Sequence, residues 1–143
     1  MMRNRLYSAV LAVLLIGAFL LVLMGCSAIR NPLDGTEWKL AGWTLNSLNP
    51  ADFTITAKFT NQNISGSSGV NSYSGPYKLG AGAAFSVGQL AGILMAGPEP
   101  AMRAESAYLT LLGQAASYKL TNGQLILYDK GGNESLIFEV DSK

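Results

Sequence analysis

Asn122-Gly123 stands between Tyr118-Lys119-Leu120-Thr121 and Gln124-Leu125-Ile126-Leu127-Tyr128. Two β-prone runs joined by Asn-Gly form the strongest short-range hairpin signal, because a type I′ turn needs φ > 0 at both central residues. That signal commits the chain to antiparallel sheet, and the sequence before it agrees. Residues 36–43 alternate through Trp38 and Leu40. Residues 54–60 put Ile55, Ala57 and Phe59 on one face and Thr54, Thr56, Lys58 and Thr60 on the other. Residues 64–67 read as the return strand across Asn61-Gln62-Asn63. Gly75, Tyr77 and Leu79 share a face, and residues 84–87 make a short fifth strand.

The period then changes. Met102, Glu105, Tyr108, Leu109 and Leu112 are spaced by threes and fours, with Pro98 and Pro100 before them and Gly113 after. This predicts one amphipathic helix over about 98–113, with Met102, Leu109 and Leu112 toward the core. Residues 135–140 follow a second turn at residues 129–133. The expected fold is α+β and mostly β: about eight short antiparallel strands in a small barrel or strongly curved sheet, closed by one helix.

The first 25 residues belong to another category. Arg3 and Arg5 precede an uncharged stretch from Leu6 to Met24, followed by Gly25-Cys26-Ser27. A basic start and an apolar centre read as an export signal. Leu23-Met24-Gly25-Cys26 resembles the lipobox of prokaryotic lipoproteins. Cleavage between Gly25 and Cys26 would free the amine of Cys26, and acyl chains on its sulfur would hold the protein to a membrane. Each buried CH₂ adds about 0.8 kcal/mol, so two or three chains suffice. An uncleaved signal anchor is the alternative, since a 19-residue helix spans roughly 28 Å. Both give the same topology. The expected organisation is therefore 1–25 signal peptide or anchor, 26–34 tether, and 35–143 one domain. That domain lies on the exported side, at the outer face of the cytoplasmic membrane or at an outer membrane according to host.

Composition narrows the function. The chain has 10 Lys+Arg against 9 Asp+Glu, and setting aside Arg3 and Arg5 turns the formal +1 into −1. A near-neutral domain without a basic block is a poor nucleic-acid binder. One Cys gives no disulfide scaffold, and the absence of His removes the commonest general base and metal ligand. Gly66-Ser67-Ser68-Gly69 reads as a turn of small residues, not a nucleophile site. Gly80-Ala81-Gly82-Ala83 reads as a strand connection. Asp129, Asn133 and Glu134 read as a solvated turn and not a cation loop. Glu99, Glu105, Asp129, Glu134, Glu139 and Asp141 are expected at scattered surface positions, with no pair across a cleft. The expectation is no enzyme, no metal and no cofactor.

The remaining suggestive residues are Asn71 and the tyrosines at 73, 77, 108, 118 and 128. Tyrosine suits recognition, with an apolar ring and a polar handle. Tyr73 and Tyr77 equally fit a strand core or rim. Asn71 equally fits a loop residue bonding its own backbone. Residues 88–97 carry Leu90, Ile93, Leu94 and Met95, more apolar than a solvated loop. They are expected to pack under the helix, with an exposed contact site as the alternative.

Together these residues resemble the META domain family of HslJ-like heat-shock lipoproteins. Leu33-Asp34-Gly35-Thr36-Glu37-Trp38-Lys39-Leu40 is similar to its L-x-G-T-x-W-x-L opening. Gly66, Gly69, Asn71, Tyr73, Gly75 and Tyr77 match its G-x-x-G-C-N-x-Y-x-G-x-Y stretch. Leu94-Met95-Ala96-Gly97-Pro98 resembles its M-A-C segment. The resemblance implies a barrel-like fold with a helix, an envelope location and a stress-related accessory role without catalysis. It marks Asn71, Tyr73, Gly75, Tyr77 and Met95 as motif or binding positions. Two departures stand out: Val70 and Gly97 occupy positions where many members carry Cys, so another contact must hold those loops together. The partners expected are a membrane, through acyl chains on Cys26, and an exported protein, with the domain itself monomeric. An inhibitor or chaperone-like module is the alternative role.

Overall fold

The computed structural model describes residues 31–45 and 47–141. Gly25, Cys26 and the signal segment lie outside the described residues. Nine strands form the sheet: β1 (Thr36–Trp43), β2 (Thr56–Thr60), β3 (Asn63–Ser67), β4 (Ser72–Gly80), β5 (Ala84–Val87), β6 (Ala91–Gly92), β7 (Ser117–Thr121), β8 (Gln124–Tyr128) and β9 (Glu134–Val140). One helix, α1 (Glu99–Gln114), enters between β6 and β7. The sheet runs β3-β2-β1-β9-β8-β7-β5-β4, and β3 pairs with β4 to close an eight-stranded antiparallel barrel. The two-residue β6 adds to the free side of β4 at Tyr73↔Gly92 and Ser74↔Ala91.

Alternation builds the core as the sequence predicts. Trp38 and Leu40 of β1, Ala57 and Phe59 of β2, Tyr73 and Tyr77 of β4, and Leu125 and Leu127 of β8 all point inward and are buried. Ile55, just before β2, joins them and bridges Ser68. The interior is filled by rings. Phe59 stands edge-on to Tyr77 at 4.9 Å, and Tyr77 stacks on Phe85 at 6.2 Å. Such pairs each add about 0.5–1.5 kcal/mol beyond their burial.

Two turns exchange the roles that the sequence suggests. Asn122-Gly123 does join β7 to β8, with Thr121 opposite Gln124. Among the described residues, however, only Gly123 of the pair has positive φ (90°), so the turn is not type I′. Its carbonyl accepts the Val140 N–H at 3.2 Å, tying the turn to β9. The left-handed pair is instead Asn61-Gln62 (φ 51° and 63°) between the partners Thr60 and Asn63. There Asn61 N–H donates to Asp34 Oδ1 at 2.7 Å, a long-range bond that anchors the strained turn.

The helix is where expected, but its inward face differs. Ala104, Tyr108 and Leu112 are buried, Leu109 is half-buried, and Met102 is 43% exposed. Small Ala104, not large Met102, occupies the stripe one turn before Tyr108. The β3–β4 turn packs on α1 at ordinary contact distance: a Cβ on Gly69 would lie 3.5 Å from the Ala101 carbonyl.

Register assigns the two barrel ends. Leu33, Gly35 and the β2–β3 turn share one end, since Gly35 N–H donates to Phe59 O at 2.8 Å. Ser67, Ser72 and β6 lie at the other. The chain therefore enters the barrel at the end opposite the segment that follows β6.

Candidate functional site

Among the described residues, the buried polar ones, Ser68, Asn71 and Ser135, lie toward that second end. β3 stops at Ser67, and the chain turns through Gly69 (φ 116°) to start β4 at Ser72. The turn leaves Ser68 and Asn71 buried beside α1. Glu105, one turn into the inward stripe of the helix, receives them. Ser68 Oγ lies 2.5 Å from Glu105 Oε2 and gives it the hydroxyl proton. Asn71 N–H donates to the same oxygen at 2.8 Å, and Asn71 Nδ2 donates to Oε1 at 2.8 Å. Asn71 also grips the backbone after β6. Met95 N–H donates to its Oδ1 at 2.9 Å, and its Nδ2 donates to Met95 O at 3.1 Å.

Asn71 thus does not serve its own backbone. It joins three segments: the β3–β4 turn, the segment after β6 and α1. Glu105 is likewise not a scattered surface carboxylate. Its half-buried position pulls its pKa upward by desolvation. Hydrogen bonds from Ser68, from the Asn71 side chain and backbone and from the Val70 backbone outweigh that and hold it below the ordinary Glu value. Because the folded-state pKa is depressed, the carboxylate's contribution is present above the unfolded value and is lost as pH falls through the folded one. Stability is therefore expected to drop from about pH 5 downward, and Glu105→Gln to flatten that drop. Urea midpoints across that range check this; an unchanged acid limb in Glu105→Gln would contradict it.

Beneath the clamp, a second polar contact reaches into the core. Tyr73 and Tyr108 hydroxyls lie 2.6 Å apart, and Tyr73 OH donates to Thr56 O at 2.9 Å. A hydroxyl has one proton, so Tyr108 is the donor to Tyr73. Burial pushes both phenols well above the ordinary tyrosine value, so both stay neutral. Tyr77 is buried among Phe59 and Phe85, and Gly75 makes room for Gln89 and Leu90. A Cβ at Gly75 would stand 2.7 Å from Gln89 O. These motif residues build the barrel and do not line an open cleft.

What the clamp holds out is apolar. Only Leu90 of the apolar group in residues 88–97 packs against the core. Ile93, Leu94 and Met95 are 61%, 94% and 60% exposed. The expectation that they pack under the helix is overturned. The space there is taken by Tyr108 and Leu112, and the two backbone bonds from Asn71 fix Met95 at the rim.

Val70 and Gly97 meet at this point. A Cβ on Gly97 would lie 2.7 and 2.9 Å from the two Cγ atoms of Val70 and 3.4 Å from its Cβ. Val70 fills the space that a Gly97 side chain would need, and Asn71 supplies the cross-loop hold. A cysteine pair has Cβ atoms about 3.5–4.5 Å apart. Val70→Cys with Gly97→Cys is therefore expected to form a disulfide. Closing a loop of about 28 residues would add about 3.5 kcal/mol. Denaturation with and without reductant measures the gain; free thiols under oxidising conditions would contradict it.

The fold and site define a class: a small closed β-barrel with a helix packed at one end, whose buried polar residues fasten loops. The family model described as the META domain matches residues 31–142, and the chain belongs to that family. An NMR structure of a protein from Burkholderia xenovorans is similar, with 30% identity and a TM-score of 0.64, covering 78% of this chain and 85% of that one. A DUF4847-family protein from Bacteroides vulgatus shares the fold at 11% identity and a TM-score of 0.61, covering 81% of this chain and 99% of that one. No curated protein matches the chain.

Proposed function

We propose that this is a lipid-anchored, stress-related accessory protein of the cell envelope, held through Cys26, whose META domain binds and does not catalyse. The observation that carries this reading is the Asn71–Glu105 clamp. It uses the side chains of Asn71 and Glu105 to fasten a loop, and that loop presents Ile93, Leu94 and Met95 to solvent. A contiguous exposed apolar tip on a small domain marks an interaction site. The lipobox-like Leu23-Met24-Gly25-Cys26 supports the anchor. The tip lies at the barrel end opposite Leu33 and Gly35.

The test is in-cell crosslinking of the full-length chain with Cys26→Ser as control. The expected result is a processed, membrane-held protein that loses acylation in the variant. An unchanged processed, membrane-bound product in Cys26→Ser would overturn the anchor, and a robust turnover reaction would overturn the non-catalytic role. The exposure of Leu94 favours a second reading: an inhibitor or chaperone-like module acting on an exported protein.

A further inference from the structure

We infer that the Ile93-Leu94-Met95 tip is a self-association surface and that its occupant is the same tip of a second copy of this chain. The inference rests on the reading of the tip as the binding surface and goes on to name the partner. Three observations carry it.

The first is charge. From Leu79 to Pro98 the chain has no Asp, Glu, Lys or Arg, although such residues make up 13% of the sequence. At a two-fold interface each residue near the axis faces its own image. A charge there repels itself, whereas an uncharged apolar segment is its own complement.

The second is the backbone. β6 has β4 as its only strand neighbour, and no other backbone group of the described residues bonds Ile93 or Leu94. Exposed edges of this kind are usually guarded by charge or proline within the edge. Here the nearest guards are Pro98 and Glu99, beyond the tip.

The third is area. At 61%, 94% and 60% exposure the three residues together present roughly 400 Å², mostly apolar, the size of a functional patch on a monomer. A standard interface takes about 800 Å² from each partner. The tip supplies an apolar centre of half that size, and Ala91, Gly92, Ala96 and Met102 are exposed around it or on the adjoining helix turn to extend the rim.

The test uses the full-length chain in cells that export it, with a photoreactive phenylalanine derivative at position 93. The expected product is a species of twice the chain mass whose crosslinked peptides both come from this chain. Leu94→Asp is expected to reduce it at least tenfold. Leu94 is 94% exposed, so the substitution leaves the core untouched. Leu120→Asp, at the other end of the barrel and 39% exposed, is expected to leave it unchanged. Monomer alone from a protease-resistant, folded chain would overturn the inference. So would equal dimer in Leu94→Asp, or crosslinks to a different protein; that last outcome leaves the proposed binding role standing.

Discussion

Gly66→Ala is expected to destabilise the domain by at least about 3 kcal/mol, the upper range for forcing an extra group into a packed interior. Gly66 pairs directly with Tyr73 across β3 and β4, so a side chain there would point inward with Tyr73. The inward space is occupied by backbone. A Cβ would stand 2.1 Å from the carbonyl oxygen of Thr56 and 2.7 Å from its carbon. That carbonyl accepts the hydroxyl of Tyr73, while Thr56 Oγ1 takes the Ser67 N–H at 3.0 Å in the ladder's place. Glycine at 66 and tyrosine at 73 are thus two halves of one arrangement. Thermal melts of Gly66→Ala measure the loss. A variant as stable as the parent would show that Thr56 can turn away at little cost, and would contradict the arrangement.

Asn71→Ala is expected to cost a similar amount, about 3 kcal/mol. It removes one hydrogen bond to a carboxylate and two to backbone, worth roughly 1.5–3 and 1 kcal/mol each before water repays part of the loss at the rim. The residue is 6% exposed, so the site does not rehydrate freely. Glu105 keeps its bonds from Ser68 Oγ and the Asn71 N–H, and so the damage is expected to concentrate on the loop. A purely recognition role for Asn71 predicts the opposite pattern: unchanged urea midpoints and altered binding only.

The barrel was readable from the chain because its information is local. Alternation in residues 54–60 names Ala57 and Phe59 as inward residues without knowledge of any partner. The Asn122-Gly123 hairpin was readable, while its turn type was not, because the carbonyl of Gly123 is drawn to Val140 from outside the hairpin. The inward face of α1 is less legible: the period alone admits Met102 as core, yet Ala104, Tyr108 and Leu112 are the buried residues. The two-residue β6 is too short to carry a period.

The clamp was only half legible. Asn71 and Glu105 are 34 residues apart, and nothing local joins them. One signal was present: Glu105 falls within the apolar period Met102, Tyr108, Leu109, Leu112, and a carboxylate on an inward stripe needs partners. Met95 stands in the family-like segment, but its backbone and not its side chain bonds Asn71.

The central claim is that Asn71 holds the exposed tip to the barrel. Native-state hydrogen exchange at the Met95 amide tests it most directly, because that N–H has Asn71 Oδ1 as its acceptor. Slow exchange is expected in the parent chain. In Asn71→Ala, under conditions where Leu125 and Phe138 stay protected, exchange as fast as that of Leu94 is expected. A Met95 amide that exchanges at the same rate in both would contradict it.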